Sequence, residues 1–357
     1  MALINSYAVW NNKGGVGKST ISFHLATRYA ELHPDKNVLV IDLCPQANSS
    51  MMILGGGNQG EDQVIDYCSL TNPRTVVGYL SSVISAGSGA ALPNPNDFLV
   101  QVSTINRNVT KNLYLLCGDG NLEPMAPAIS DAASARSLTP SAKPWVWVHN
   151  IFRSFINNTV AINSTKDWLV FVDTNPSFSI YTELAISAVN RLITPVNADD
   201  SSRTAANAMA ILLHGTNPPH PIYGTWTFAA QAETHNLPVP KIHLIVGNRL
   251  TQYIGASAAF KALSDATANT LYDLFRTNPN YFSARRTIPP NITAFRDAYS
   301  VPLRDFNTAG VVSAHQGQRL SQMRQGYYDV HGVQVKVNAD ALSDCLEGVD
   351  NVLTFLT

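Results

Sequence analysis

The sequence predicts an α/β fold, a mostly parallel, twisted sheet flanked by helices on both faces. Three observations carry that expectation. Short apolar, β-branched runs recur between turn residues, stretches with helical spacing separate them, and hydrophobic residues make up 45% of the 357 positions.

The runs are Tyr7–Trp10, Val38–Ile41, Leu113–Cys117, Trp168–Val172, Leu192–Val196 and Ile242–Val246. Their apolar residues are continuous rather than alternating, as expected of strands covered on both faces. Ser19–Glu31, Ile180–Ala188 and Arg203–Leu213 carry the helical spacing between them. Farther on, Val333–Val337 reads as a short strand and Ala339–Leu356 as a helix. Two regions break the alternation: Gly55–Asp97, with Gly55-Gly56-Gly57 and Pro93-Asn94-Pro95, and Pro124–Pro144, rich in Ala, Ser and Pro. Strand-forming runs resume after each, so both read as insertions or mobile loops rather than domain linkers. The expected organisation is a single domain over residues 1–357, with insertions at about 55–111 and 124–165 and a C-terminal extension from about 315.

With 24 Lys+Arg against 25 Asp+Glu the net charge is −1, which excludes a basic nucleic-acid coat and an acidic tail protein. Only local charge can steer a polyanion here. Charged residues, at 14%, fall well below the ~25% usual in soluble domains. Cys44, Cys68, Cys117 and Cys345 stand far apart with no C-x-x-C pair, so neither a zinc site nor a disulfide framework is expected, and a reducing, cytoplasmic compartment is. Met1–Trp10 has no basic segment leading into a long apolar one, and no run of 18 apolar residues occurs anywhere. Neither a signal peptide nor a membrane span is expected.

The chemistry concentrates in Lys13-Gly14-Gly15-Val16-Gly17-Lys18-Ser19-Thr20, between the first strand and the first long helix. Gly14, Gly15 and Gly17 let the backbone turn tightly and aim successive N–H groups inward, and the helix that follows adds its dipole. Such a nest binds phosphate. Lys18 would reach the β- and γ-phosphates and the Ser19 hydroxyl would hold Mg²⁺. Asn12 stands where the strict G-x-x-x-x-G-K-[ST] pattern has its first glycine, but the variant K-G-G-x-G-K-[ST] is met in full.

That variant resembles the ParA/MinD family of P-loop ATPases with a deviant Walker A motif. The resemblance implies a single P-loop ATPase domain, ATP and Mg²⁺ as cofactors, and an ATP-dependent homodimer that sandwiches two nucleotides. Lys13 matches the signature lysine and would act in trans like an arginine finger. Lys13, Lys18 and Asp42 are then the expected catalytic residues, and Gly14 to Thr20 the nucleotide cradle.

Other landmarks follow in family order. Asp42-Leu43-Cys44-Pro45-Gln46-Ala47-Asn48 resembles a D-x-D-P-Q-x-N segment, with Asp42 at a strand end suited to Mg²⁺ or its waters. Cys44 departs from it, standing where the family has a second aspartate associated with water activation. A thiol is a poor substitute, so slow hydrolysis is expected. Asp173-Thr174-Asn175-Pro176-Ser177 resembles the D-T-x-P-S segment, implying that Asp173 meets Mg²⁺ through water and that the loop senses the γ-phosphate. Gly247-Asn248-Arg249 resembles a strand ending in N-R whose Asn reads the adenine edge, and Thr287-Ile288-Pro289-Pro290-Asn291 resembles T-I-P-x-N, which places Pro289 near the base. The plainer alternatives are a solvated Lys13, a turn-capping Asp42 and a strand-end cap at Asn248.

The resemblance also implies a reader of the nucleotide state. Ala339–Thr357 carries Asp340, Asp344, Glu347 and Asp350 with no Lys or Arg, which disfavours a membrane. Arg276, Arg285, Arg286, Arg296 and Arg304 form a locally basic stretch that a dimer would double, suited to nonspecific DNA, with scattered solvated charges as the plainer alternative. The expected function is thus a ParA-like partition or cargo-positioning ATPase, cytoplasmic and nucleoid-associated in a prokaryote, released by a ParB-like or other adaptor partner. The alternative is a slow or non-hydrolysing nucleotide-gated scaffold that binds a protein instead of DNA.

Overall fold

The computed structural model describes residues 2–136, 143–216, 222–248, 258–303 and 306–356. Among them an eight-stranded sheet comprises β1 (Leu3–Val9), β2 (Asn37–Leu43), β3 (Val100–Gln101), β4 (Leu113–Leu116), β5 (Trp168–Thr174), β6 (Arg191–Val196), β7 (Lys241–Gly247) and β8 (Ser300–Pro302). The order is β3-β4-β2-β5-β1-β6-β7-β8, and every neighbouring pair is parallel except β3 with β4. Each of the six apolar runs read from the sequence is a strand of this sheet. Because β5 inserts between β1 and β2, Asp42 near the end of β2 and Asp173 near the end of β5 stand side by side in register.

Alternate side chains separate the two faces: Ala8 and Trp10 join one apolar cluster, Tyr7 and Val9 the other. In chain order the helices are α1 (Lys18–Leu32), α2 (Asn48–Ile53), α3 (Gly57–Ser69), α4 (Val76–Ala86), α5 (Leu122–Ser134), α6 (Pro144–His149), α7 (Ile151–Ile162), α8 (Ile180–Ser187), α9 (Asp200–His214), α10 (Phe228–His235), α11 (Ala258–Thr277), α12 (Ile292–Tyr299), α13 (Asn307–His315) and α14 (Ala339–Leu353). Side chains of α4, α7, α8, α9 and α11 cover the Trp10 face; α1, α13 and α14 cover the Tyr7 face. A hairpin of β9 (Gly326–Val330) and β10 (Val333–Val337) lies between α13 and α14 in the chain. The last turns clasp the sheet: the Tyr7 hydroxyl donates to the Leu356 carbonyl at 2.9 Å, and Arg28 of α1 grips Asp350 through two bonds of 2.7 and 2.8 Å.

The two regions expected as insertions or mobile loops carry α3, α4, α5 and the start of α6, so they are helical rather than loops over those spans, while residues 137–142 lie outside the described residues. Gly55, Gly56 and Gly57 all take positive φ, so the glycine run makes a tight corner between α2 and α3. Thr75 caps α4 by accepting from the Gly78 N–H at 3.1 Å, and Val76, Tyr79, Leu80 and Val83 are buried beneath it. Pro124 falls in the first turn of α5, where its missing N–H has no helical partner to lose, and Pro127 removes a single bond.

Candidate functional site

The glycine loop follows β1 at the centre of the sheet, where strand order reverses and ligands of open α/β sheets collect. Asn11, buried beyond the end of β1, donates its amide to the Pro195 carbonyl of β6 at 2.6 Å, tying the start of the loop to the next strand. The chain then turns through Gly15 and Gly17, with φ of +71° and +80°, into α1. Gly17 is the N-cap of α1 and offers no side-chain acceptor, so the helix opens without a side-chain cap. Gly15, Gly17, Lys18, Ser19 and Thr20 line a cavity of about 280 Å³ at that end, and Val16 anchors the loop in the core beneath. Gly14 is exposed and does not line this cavity.

Lys18 is 6% exposed, and its ammonium donates to the carbonyls of Lys13 at 2.9 Å and Asn11 at 3.5 Å. Burial lowers its pKa from the ordinary lysine value, with Asp173 opposing. A buried ammonium bonded to carbonyls alone, among the described residues, is suited to anionic oxygens.

Asp42 and Asp173 are fully buried. Asp42 accepts from the Cys44 N–H at 3.1 Å and from both the N–H and hydroxyl of Ser50 at 2.8 Å. Gly118 comes so near that a Cβ there would lie 2.9 Å from the Asp42 carboxyl carbon. Asp173 accepts from the hydroxyls of Ser49 at 2.5 Å and Ser22 at 3.3 Å, and the Ser19 hydroxyl also favours its charged form. Burial pushes both carboxyls above the ordinary range, and the charge of Asp173 pushes Asp42 further. A divalent cation relieves such a pair. Two carboxylates and the Ser19 hydroxyl are the hard oxygen donors that Mg²⁺ takes. Among the described residues no group of three His, Cys, Asp or Glu could hold a metal alone, so water and phosphate oxygens would complete its shell.

A family model described as an AAA domain matches residues 4–214, more than half of the chain. The chain belongs to the ParA/MinD-like family of P-loop ATPases. No curated protein matches the sequence. Solved structures share the fold at low identity. Apo McdA of Cyanothece is 13% identical over 99% of this chain and 100% of that one, with a TM-score of 0.59. An aspartate-to-alanine variant of Cyanothece McdA in complex with ATP is 14% identical over 99% and 98%, at 0.57. A Borrelia burgdorferi B31 protein described as a plasmid partition protein, bound to AMPPNP, is 15% identical over 99% of both chains, at 0.52.

This ParA-like chain has its own first-carboxylate surroundings. Cys44 lines the cavity beside the glycine loop, and its thiol donates to the Gln46 side-chain carbonyl at 2.8 Å. Burial, then the charges of Asp42 and Asp173, pushes the thiol up to about 12, so it stays neutral and cannot serve as a base. Lys13 is ion-paired with Asp199, the N-cap residue of α9. Asp199, Ser49 and Ser50 escaped the sequence reading; Asp199-Asp200-Ser201-Ser202 does carry a helix-start signal, but nothing in it points to Lys13.

Asn248 follows β7 and donates its amide to the Val16 carbonyl of the loop at 2.8 Å. Beside it a cavity of about 310 Å³ is lined by Asn197, Gly247, Val301 and Pro302 among others. Pro289 is buried in the connection before α12 and lines neither cavity. A larger cleft of about 560 Å³ between α9 and α11 lies apart from the loop. The basic stretch does not stay together. Arg285 turns inward, donating to the carbonyls of Ala298 at 3.0 Å and His243 at 2.5 Å with its guanidinium 4.7 Å from the Tyr299 ring centre. Arg296 is paired with Asp265 at 2.8 Å. Arg286 is exposed, and Arg276 is exposed with Asp273 4.0 Å away. Arg249 and Arg304 lie outside the described residues. Among the described residues no helix is long and apolar enough to cross a membrane.

Proposed function

We propose that this chain is a nucleotide-switched ATPase that positions DNA or another cargo. The loop from Gly14 to Thr20 binds the phosphates of ATP, Lys18 reaches the β- and γ-oxygens, and Ser19, Asp42 and Asp173 hold Mg²⁺ directly or through its waters. When bound, Mg²⁺ neutralises charge on those oxygens. ATP closes a homodimer, Lys13 leaves Asp199 for the partner's nucleotide, and Asp42 orients the water that the neutral Cys44 cannot activate, so turnover is slow. The observation that carries the reading is a buried, carbonyl-held Lys18 lining the cavity, with the buried carboxylate of Asp173 near enough to act on its charge and Asp42 in register beside Asp173. The relatives' described roles and nucleotides support the same direction.

In the ATP state the dimer binds DNA without sequence preference in the cytoplasm, on the nucleoid, and a cargo-bound adaptor triggers hydrolysis and release. Arg276 and Arg286 present the cationic contacts. The test is retention on DNA at low salt with ATP against ADP. Retention with ATP only, lost in Lys18→Ala and reduced in Arg276→Ala/Arg286→Ala, is the expected result; no retention would remove DNA from the proposal. The inward Arg285 and the paired Arg296 favour the second reading, a nucleotide-gated scaffold for a protein partner. It predicts ATP-dependent dimerisation without any DNA retention.

A further inference from the structure

We propose that Asn248 is a positioning residue of the phosphate loop: its side-chain amide holds the Val16 carbonyl and thereby sets where the Gly17 N–H points. The inference rests on the nucleotide-binding reading above and gives this asparagine a task other than recognition of the base.

The geometry is tightly defined. The Asn248 amide nitrogen donates to the Val16 carbonyl at 2.8 Å, while the backbone N–H of Asn248 donates to the Val196 carbonyl of β6, also at 2.8 Å. Asn248 is only 3% exposed, and its neighbour Gly247 is the last residue of β7. The anchor is therefore fixed to the sheet, two strands away from β1. In a trans peptide the carbonyl and the N–H point in opposite directions. Holding the Val16 carbonyl on Asn248 turns the N–H of the same peptide, that of Gly17, away from Asn248. Gly17 lines the phosphate cavity, so one of the inward N–H groups of the nest is set by this contact.

Residue 17 then has two reasons to be glycine. Its φ of +80° suits no other residue well, and a Cβ would stand 2.5 Å from the Asn248 amide nitrogen. One of the two N–H donors of Asn248 is spent on the loop and not on a ligand. A base reader would affect only ligands that carry a base. A loop-positioning residue affects polyphosphate itself.

The experiment is calorimetric titration of the full chain with Mg²⁺ and inorganic triphosphate, the non-hydrolysable ATP analogue AMPPNP, or its guanine counterpart. Asn248→Ala is expected to weaken triphosphate and AMPPNP alike, each by about tenfold, the worth of one buried hydrogen bond, and to leave the adenine-to-guanine ratio unchanged. Asn248→Asp, which sets an acceptor against the Val16 carbonyl, weakens both more, and Asn248→Ser, which keeps a shorter donor, falls between wild type and alanine. Gly17→Ala combined with Asn248→Ala loses less than the two single effects together, because the clash with the amide is gone. Unchanged triphosphate binding in Asn248→Ala, or a shifted adenine-to-guanine ratio, overturns the inference while the phosphate cavity stands. Wild-type protein that takes up neither triphosphate nor AMPPNP overturns both. Thermal melting of each variant separates loss of fold from loss of binding; if Asn248→Asp does not fold, the alanine and serine variants carry the comparison.

Discussion

Lys13 and Asp199 form an ion pair that joins the start of the glycine loop to the N-cap of α9. Against the upward push of burial, the Lys13 ammonium and the Ser202 N–H, which donates at 2.8 Å, hold the Asp199 carboxyl at about 2. Asp199 is therefore ionised throughout the neutral range. In the proposed dimer, a lysine that serves the partner's nucleotide would first have to give up this bond, so the contact would oppose closure.

Asp199→Asn tests that opposition. Asparagine caps a helix as well as aspartate does, so α9 keeps its start while the charge is removed. The dimer formed with AMPPNP is expected at up to about fivefold lower protein concentration, the worth of a partly exposed ion pair. Sedimentation velocity reads the shift. An unchanged or weaker dimer would show that the pair has no part in assembly.

Cys44→Asp addresses turnover. A carboxylate at that position can accept a proton from water, and steady-state phosphate release is expected to rise at least about tenfold, whereas Cys44→Ala leaves the rate near that of the wild type. The same change sets a third acidic group beside Asp42 and Asp173. Without Mg²⁺ the aspartate variant should melt below the wild type, and Mg²⁺ with AMPPNP should recover most of the difference.

Acid should loosen the packing of the C-terminal helices. Burial is the first cause that holds His24 down at about 3 and His214 and His243 at about 4. Unfolded histidine titrates near ~6.5, so between about pH 6.5 and 4 the unfolded chain binds more protons, and stability present above 6.5 is lost as pH falls. Asp42 and Asp173 act in the opposite sense, since their raised pKa values let the folded state hold protons through part of that window. His24 touches the Gly310 carbonyl of α13 at 3.3 Å and His243 the Phe355 carbonyl at 2.7 Å. The double variant His24→Gln/His243→Gln is expected to show a shallower fall in melting temperature between pH 7 and 4.5. An equal slope would place the proton uptake elsewhere.

The strands and the loop were legible because their signals are local. A strand buried on both faces writes a continuous apolar run, and the glycine spacing at 14, 15 and 17 is itself the requirement for the turn. β3 and β8, of two and three residues, are too short to write any pattern. α3 to α5 were hidden by Gly55-Gly56-Gly57 and Pro124, which mark helix edges here and not loops. The partners of the key side chains lay beyond any local reading: Asp199 is 186 residues from Lys13, and Asn248 is 232 from Val16. Arg285 shows the same gap in reverse. Counting its charge placed it on a surface, but the carbonyls of His243 and Ala298 that absorb its donors can be known only from the folded chain.

The side-by-side placement of Asp42 and Asp173 gives the proposed catalytic centre a ruler made of main chain. Neighbouring strands keep a spacing of about 4.8 Å through their ladder, so no loop rearrangement can pull the backbones that carry the two acids apart or press them together. Surface helices and connections can then diverge to suit a new docking surface while the proposed Mg²⁺ seat keeps its dimensions.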